Sequence, residues 1–205
     1  MPRRNSPRSE NLRRAIAQEA ARVMAEHGIQ DFRAAKRKAV ERFGVTEESA
    51  LPSNAEVETA LVEYQRLFAA DTHGATLRTQ RRAALRAMRS LAAFSPRLVG
   101  PVLAGTATAH SDVHLHLFAD PPEAVALNLL DRGVGHDVGE HRLRVDAERF
   151  LVFPSVQFEI EEQTIDATVF PVDGIRQAPI SPVDGRPMRR ADVGELETLL
   201  ESSGA

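Results

Sequence analysis

Pro96 separates two kinds of sequence, and that change of texture limits the folds open to the chain. Before it, apolar residues recur every three or four positions. The stripes are Leu12, Ile16, Ala20, Val23 and Met24; Phe32, Ala35, Ala39, Val40 and Phe43; Val57, Leu61, Tyr64 and Phe68; and Leu77, Ala84, Leu85, Met88 and Leu91. That period is one face of an α-helix. After Pro96, Val-His-Leu-His-Leu-Phe over 113–118 alternates with period two, as does His-Arg-Leu-Arg-Val over 141–145. Alternation is the mark of half-buried strands. The expectation is an α+β protein: a four-helix N-terminal region, then a mixed β-sheet with flanking helices.

Punctuation places the elements. Residues 1–8 are expected to be a disordered basic tail, 9–95 the helical region and 96–205 the α+β domain. Ser9 opens the first helix, and Gly28 and Gly44 close the first two. Ser53 and Glu56 have the spacing of a capping box, which opens the third. The fourth is expected over 76–94. Asp120-Pro121-Pro122 is expected to cap a helix reaching Leu130. Strands over 150–160 and 164–170 are joined by Glu161-Glu162-Gln163 as a hairpin. Residues 171–191 form a loop rich in proline and glycine, and Asp192 caps a closing helix.

Composition excludes several classes. There are no cysteines, which removes disulfides, thiolate zinc sites and cysteine nucleophiles. No apolar run approaches the ~18 residues of a membrane span, and the basic start lacks the apolar stretch of a secretory signal. No membrane partner and a cytoplasmic location are therefore expected. Neither a Walker A loop nor a dinucleotide fingerprint occurs. Aromatic residues are 5% of the chain, too few for a base-stacking platform. Charge is uneven: residues 1–100 hold 18 Lys+Arg against 11 Asp+Glu, and residues 101–205 hold 8 against 18. Arginines 78, 82, 86 and 89, and the basic residues of 33–42, line helix faces. Such faces either bind an anionic partner such as nucleic acid or dock onto the acidic half.

The segment 98–118 carries the functional argument. A short apolar strand ends at Gly100, Gly105 follows five residues on, and Ser111-Asp112 opens the alternating strand. This spacing resembles the signature of the polymerase-β-type nucleotidyltransferase superfamily. There a strand ends in Gly-Ser, a small turn-helix follows, and Ser-Asp-x-Asp begins a second strand. The resemblance implies a nucleotidyltransferase-like sheet and transfer of a nucleoside monophosphate from a nucleoside triphosphate to an acceptor. It implies divalent metal, Mg²⁺ or Mn²⁺, held by Asp112, by His114 at the second carboxylate position, and by Asp166 as the third carboxylate. Asp112 and Asp166 would be the catalytic carboxylates. Gly100, Gly105, Thr106 and Ser111 would lie along the nucleotide phosphates. Two ions so held stabilise the attacking and leaving oxygens of an in-line displacement.

Two positions depart from the signature. Pro101 stands in place of the serine and supplies neither hydroxyl nor N–H. His114 replaces a carboxylate, and Mg²⁺ takes hard oxygen ligands. A catalytically degenerate module for nucleotide sensing or protein interaction is therefore the alternative reading, and a nucleic-acid-binding protein the next. Asp112, His114 and His116 alternate on one strand near His110, so a Zn²⁺, Mn²⁺ or Ni²⁺ site is a further alternative; so is a pair of histidines facing solvent. Asp166, in an apolar strand, needs a partner or a metal, and Arg142 and Arg144 are candidates. Arg176, Arg186, Arg189 and Arg190 in the long loop either grip phosphates or pair with the acidic surface.

Overall fold

In the computed structural model, the described residues are 7–44 and 51–202. They form two compact units. One draws on residues up to His73 together with Thr108–Ser111 and Pro182–Asp184; the other comprises Gly74–Ala107, Asp112–Ser181 and the chain from Gly185 onward. Most of the tail expected over 1–8 lies outside the described residues. Among the described residues, no helix is long and apolar enough to cross a membrane.

The first unit is built on α1 (Pro7–His27), α2 (Phe32–Phe43) and α3 (Asn54–Phe68). Its core is small-residue-rich: Ile16, Ala20, Ala35, Ala39 and Val57 are fully buried. Small side chains let helix axes approach closely. The ends follow local chemistry. Asp31 accepts the Ala34 N–H at 2.7 Å and caps α2, and Gly44 adopts the left-handed conformation that ends it. The capping box of α3 is present, with Ser53 and Glu56 bonding to each other's backbone N–H. The basic face of α2 is partly used within the unit. Lys36 donates to Pro52 O and Asn54 Oδ1, and Arg42 reaches Glu19.

The fourth helix, α4 (Ala70–Ser90), has a different allegiance from the first three. Ala84, Ala87, Met88 and Leu91 are fully buried in the core of the second unit. The helical sequence of 9–95 is thus divided between two cores. Arg86 pairs with Glu161 and Arg89 with Glu197, both inside the second unit.

The second unit is a five-stranded mixed sheet in the order β1-β2-β5-β4-β3. Its strands are β1 (Arg97–Val99), β2 (Val113–Phe118), β3 (His136–Arg144), β4 (Phe150–Ile160) and β5 (Gln163–Phe170). Between them run α5 (Gly100–Ala104) and α6 (Glu123–Asp131), and α7 (Val193–Ser202) follows. The sheet joins β1 antiparallel to β2, β2 parallel to β5, and β5 antiparallel to β4, which pairs antiparallel with β3. The β4–β5 hairpin turns through Glu161 and Glu162 alone, both at positive φ. That is the backbone of a tight two-residue turn. Asp192 and Glu195 cap α7 reciprocally. Asp120 does not cap α6; its carboxylate accepts from the Val172 N–H at 3.0 Å, and α6 starts after Pro122 with no side-chain cap.

Alternation gives the sheet two distinct faces. Leu98, Val113, Leu115, Leu117, Val156, Phe158, Ile165, Ala167 and Val169 share one apolar cluster with residues of α4, α5, α6 and α7. The opposite parity, the polar face, carries Arg97, His114, His116, Gln157, Ser155, Asp166 and Thr168, matched across the strands, with Phe118 and Phe170 at one end. The candidate site stands on this polar face.

Candidate functional site

Asp166 is the centre of the site. Its strand β5 runs parallel to β2, and the register sets it beside His114. Oδ2 lies 3.2 Å from His114 Nδ1. Oδ1 lies 2.8 Å from Nε2 of His141, which reaches it from β3. The Asp166 side chain is 14% exposed, His114 32% and His141 37%. Burial alone would raise the Asp166 pKa; the hydrogen bonds from His114 and His141 outweigh it and hold the carboxyl well below the usual range. The same bond raises the pKa of His141, against a smaller opposing effect of burial. The group is an imidazole–carboxylate–imidazole cluster with both oxygens engaged.

His116, two residues along β2, is sealed off. It is 3% exposed, and its ring packs 4.6 Å from that of Phe170. Its Nδ1 accepts from Arg190 Nε at 2.9 Å. Burial, with Arg190 next in effect, pushes its pKa well below the ordinary histidine value, so the ring is neutral. Arg190 comes from the loop before α7. It donates to the carbonyls of Gly174 and Ile175 and lies over the rings of Phe118 and Phe170, about 5 Å from each. Its Nη2 is buried with no hydrogen-bond partner among the described residues. Burial, then the charge of Arg97, lowers its pKa to about 10.

The turn between β1 and β2 places the other expected residues. Gly100 has φ +71°, and a Cβ there would stand 3.2 Å from His114 Cδ2. Only glycine tolerates both conditions comfortably. Pro101 occupies the first turn of α5, where a missing N–H is harmless to the helix. The N–H groups of Gly105 and Thr106 both point back to Pro101 O, at 2.8 and 3.0 Å. They serve the end of α5, so these two backbone donors are not turned to a phosphate. Ser111 lies in the turn 108–111, where its Oγ accepts the Thr108 N–H at 2.9 Å. Asp112 stands one residue ahead of β2, half-buried, with the parity of His114 and His116.

The structure thus brings together His114 and Asp166, two of the three residues that the resemblance implied would hold metal, and adds His141, which the sequence reading passed over. The signal was available. Arg142 and Arg144 were candidate partners of Asp166, but alternation turns them to the face opposite His141. Arg142 lies over the Phe150 ring at 4.7 Å, and Arg144 donates to Asp146 O and Ala147 O. His116, expected to face solvent if it bound no metal, is instead buried by Phe170 and the Arg190 loop.

A pair of Mg²⁺ ions does not suit this donor set. Mg²⁺ takes oxygen ligands in near-octahedral geometry. Here an imidazole holds the second position, and both oxygens of Asp166 already accept from ring nitrogens. Among the described residues, no group of three or more His, Asp or Glu side chains is arranged to hold a metal ion. Comparisons with protein-family models, with curated proteins and with solved structures found no match.

Proposed function

We propose that the chain is a nucleotide-binding protein with a nucleotidyltransferase-like sheet, in which an imidazole–carboxylate cluster replaces the metal-dependent transfer centre. The observation that carries this reading is Asp166: it lies beside the second position of the Asp-x-His strand and accepts from both His114 and His141. The order of elements supports the fold assignment. A short β1 leads through a glycine turn and α5 into an antiparallel β2, and β2 pairs in parallel with the strand carrying the third carboxylate. The two departures support the altered centre, since Pro101 gives the phosphates no donor and His114 gives Mg²⁺ no oxygen. Arg97 and Arg190 supply positive charge on the polar face, and among the described residues neither has a carboxylate partner.

The test is calorimetric titration of the full chain with ATP, GTP, CTP and UTP, first in EDTA and then with Mg²⁺. Binding of at least one triphosphate in EDTA, little changed by Mg²⁺, is expected. Binding that depends on Mg²⁺ would return the two-metal transferase reading. No binding of any of the four would overturn the nucleotide assignment.

A further inference from the structure

The three histidines of the polar face are not equivalent. His116 is sealed, and its Nδ1 accepts from Arg190. His141 spends Nε2 on Asp166 and keeps only Nδ1, the ring nitrogen nearer its own backbone. His114 is held the other way round. Its Nδ1 faces Asp166, its side chain is 32% exposed, and its Nε2 has no partner among the described residues. A carboxylate on Nδ1–H fixes the tautomer that presents the Nε2 lone pair outward. Gly100 closes in on the same edge of the ring, since Cδ2 is bonded to Nε2 and a Cβ at Gly100 would stand 3.2 Å from it. The ring is therefore held at Nδ1 and approached at Cδ2, and its Nε2 is not engaged among the described residues. A base or nucleophile with its own orienting group has this arrangement.

We propose that His114 is a nucleophile that takes the nucleotidyl group from a nucleoside triphosphate without metal. The proposal rests on the nucleotide-binding reading above. The Nε2 lone pair attacks the α-phosphorus; the N–P bond forms, the bond to the bridging oxygen breaks, and pyrophosphate leaves with that electron pair. The ring becomes cationic and keeps its proton on Nδ1, donated to the Asp166 carboxylate, whose negative charge balances it. Water or a hydroxyl acceptor then attacks the same phosphorus. The P–N bond breaks, its electron pair returns to Nε2, and the proton of the attacking oxygen passes to solvent. His141, on the other oxygen of Asp166, is a positioning residue that keeps the carboxylate turned toward His114.

The experiment incubates the full chain with ATP radiolabelled at the α-phosphate, in EDTA, and follows label on the denatured protein alongside calorimetric binding. The expected result is a covalent label that survives base and is lost in acid, as a phosphoramidate is. Peptide mass spectrometry should place one nucleoside monophosphate on His114. His114→Gln and His114→Asn should bind ATP and take no label, with circular dichroism confirming the fold of each. Asp166→Asn should label more slowly by about tenfold or more, and His141→Gln should label more slowly than the parent but faster than Asp166→Asn, since it loses only the group that orients the carboxylate. ATP binding without any label, label on another residue, or label persisting in folded His114→Gln would overturn the nucleophile and leave the nucleotide reading standing. Failure of the parent chain to bind ATP would overturn both.

Discussion

Replacing Asp166 by Asn should destabilise the second unit in a pH-dependent way. Asn keeps the shape and removes the charge that both imidazoles meet. A hydrogen bond to a charged group contributes about 1.5–3 kcal/mol net. Both rings are about a third exposed, so solvent screening places each bond near the bottom of that range. One of the two can persist on the Asn oxygen as a neutral bond, so the expected loss is about 1.5–2.5 kcal/mol where Asp166 and His141 are both charged. The pH window follows from the two shifts. Asp166 has a depressed folded pKa, so its contribution is present above the ordinary carboxylate value and is lost as pH falls through the folded value. His141 has a raised folded pKa, so its contribution is present below the ordinary histidine value and is lost as pH rises through the folded value. The penalty should be greatest between about pH 4 and about pH 6.5. Once pH has risen through the folded His141 value, the neutral ring still donates, but without charge, and the penalty should fall to about 1–2 kcal/mol. The chain has no tryptophan and one tyrosine, so urea unfolding is best followed by far-ultraviolet circular dichroism. Parent and variant should be compared at about pH 5.5 and about pH 8, with the denaturant slope checked for constancy. A penalty equal at the two pH values, or none at either, would refute the ion-paired cluster.

Three other substitutions probe neighbouring parts of the account. Gly100→Ala should cost about 1–2 kcal/mol for its left-handed backbone alone and should shift the ring resonances of His114, against which the new methyl group would press; urea unfolding and NMR read the two effects. Ser53→Ala should cost about 1 kcal/mol by removing the side-chain half of the α3 capping box, measured as a lowered urea midpoint. His114→Asp combined with Pro101→Ser should give Mg²⁺-dependent triphosphate binding that the parent lacks, read by calorimetry; a folded double variant without that gain would mean that other positions have drifted as well.

Local chemistry was legible in the sequence and long-range chemistry was not. The Ser53–Glu56 box and the left-handed Gly44 depend on residues within four positions of each other, and each forms as its sequence implies; the β4–β5 hairpin forms where expected but turns through Glu161 and Glu162 alone, with Gln163 already in the strand. The alternation of β2 was legible for the same reason, since spacing fixes parity; its neighbourhood with Asp166 was an expectation from the resemblance of 98–118, not from spacing. The allegiance of α4 was not, because an apolar stripe says that a face is buried but not against what. Asp120 carries the side chain of a helix cap, yet it turns to the N–H of Val172, supplied by a segment about fifty residues away. His114 and His116 look alike in sequence and end in opposite environments, because Arg190 and Phe170 cover one and leave the other open. His141 was the clearest omission. Parity separates it from Arg142 and Arg144, but only tertiary structure shows that β3 brings it to Asp166.

The most direct measurement is a crystal structure of the chain with a non-hydrolysable ATP analogue bound in EDTA. The account predicts the triphosphate on the polar face of the sheet, with its α-phosphorus about 3–3.5 Å from His114 Nε2 and with Asp166 still between His114 and His141. An analogue bound elsewhere would contradict it. So would an analogue that binds only when Mg²⁺ is added and bridges Asp112 and Asp166, with both imidazoles swung away.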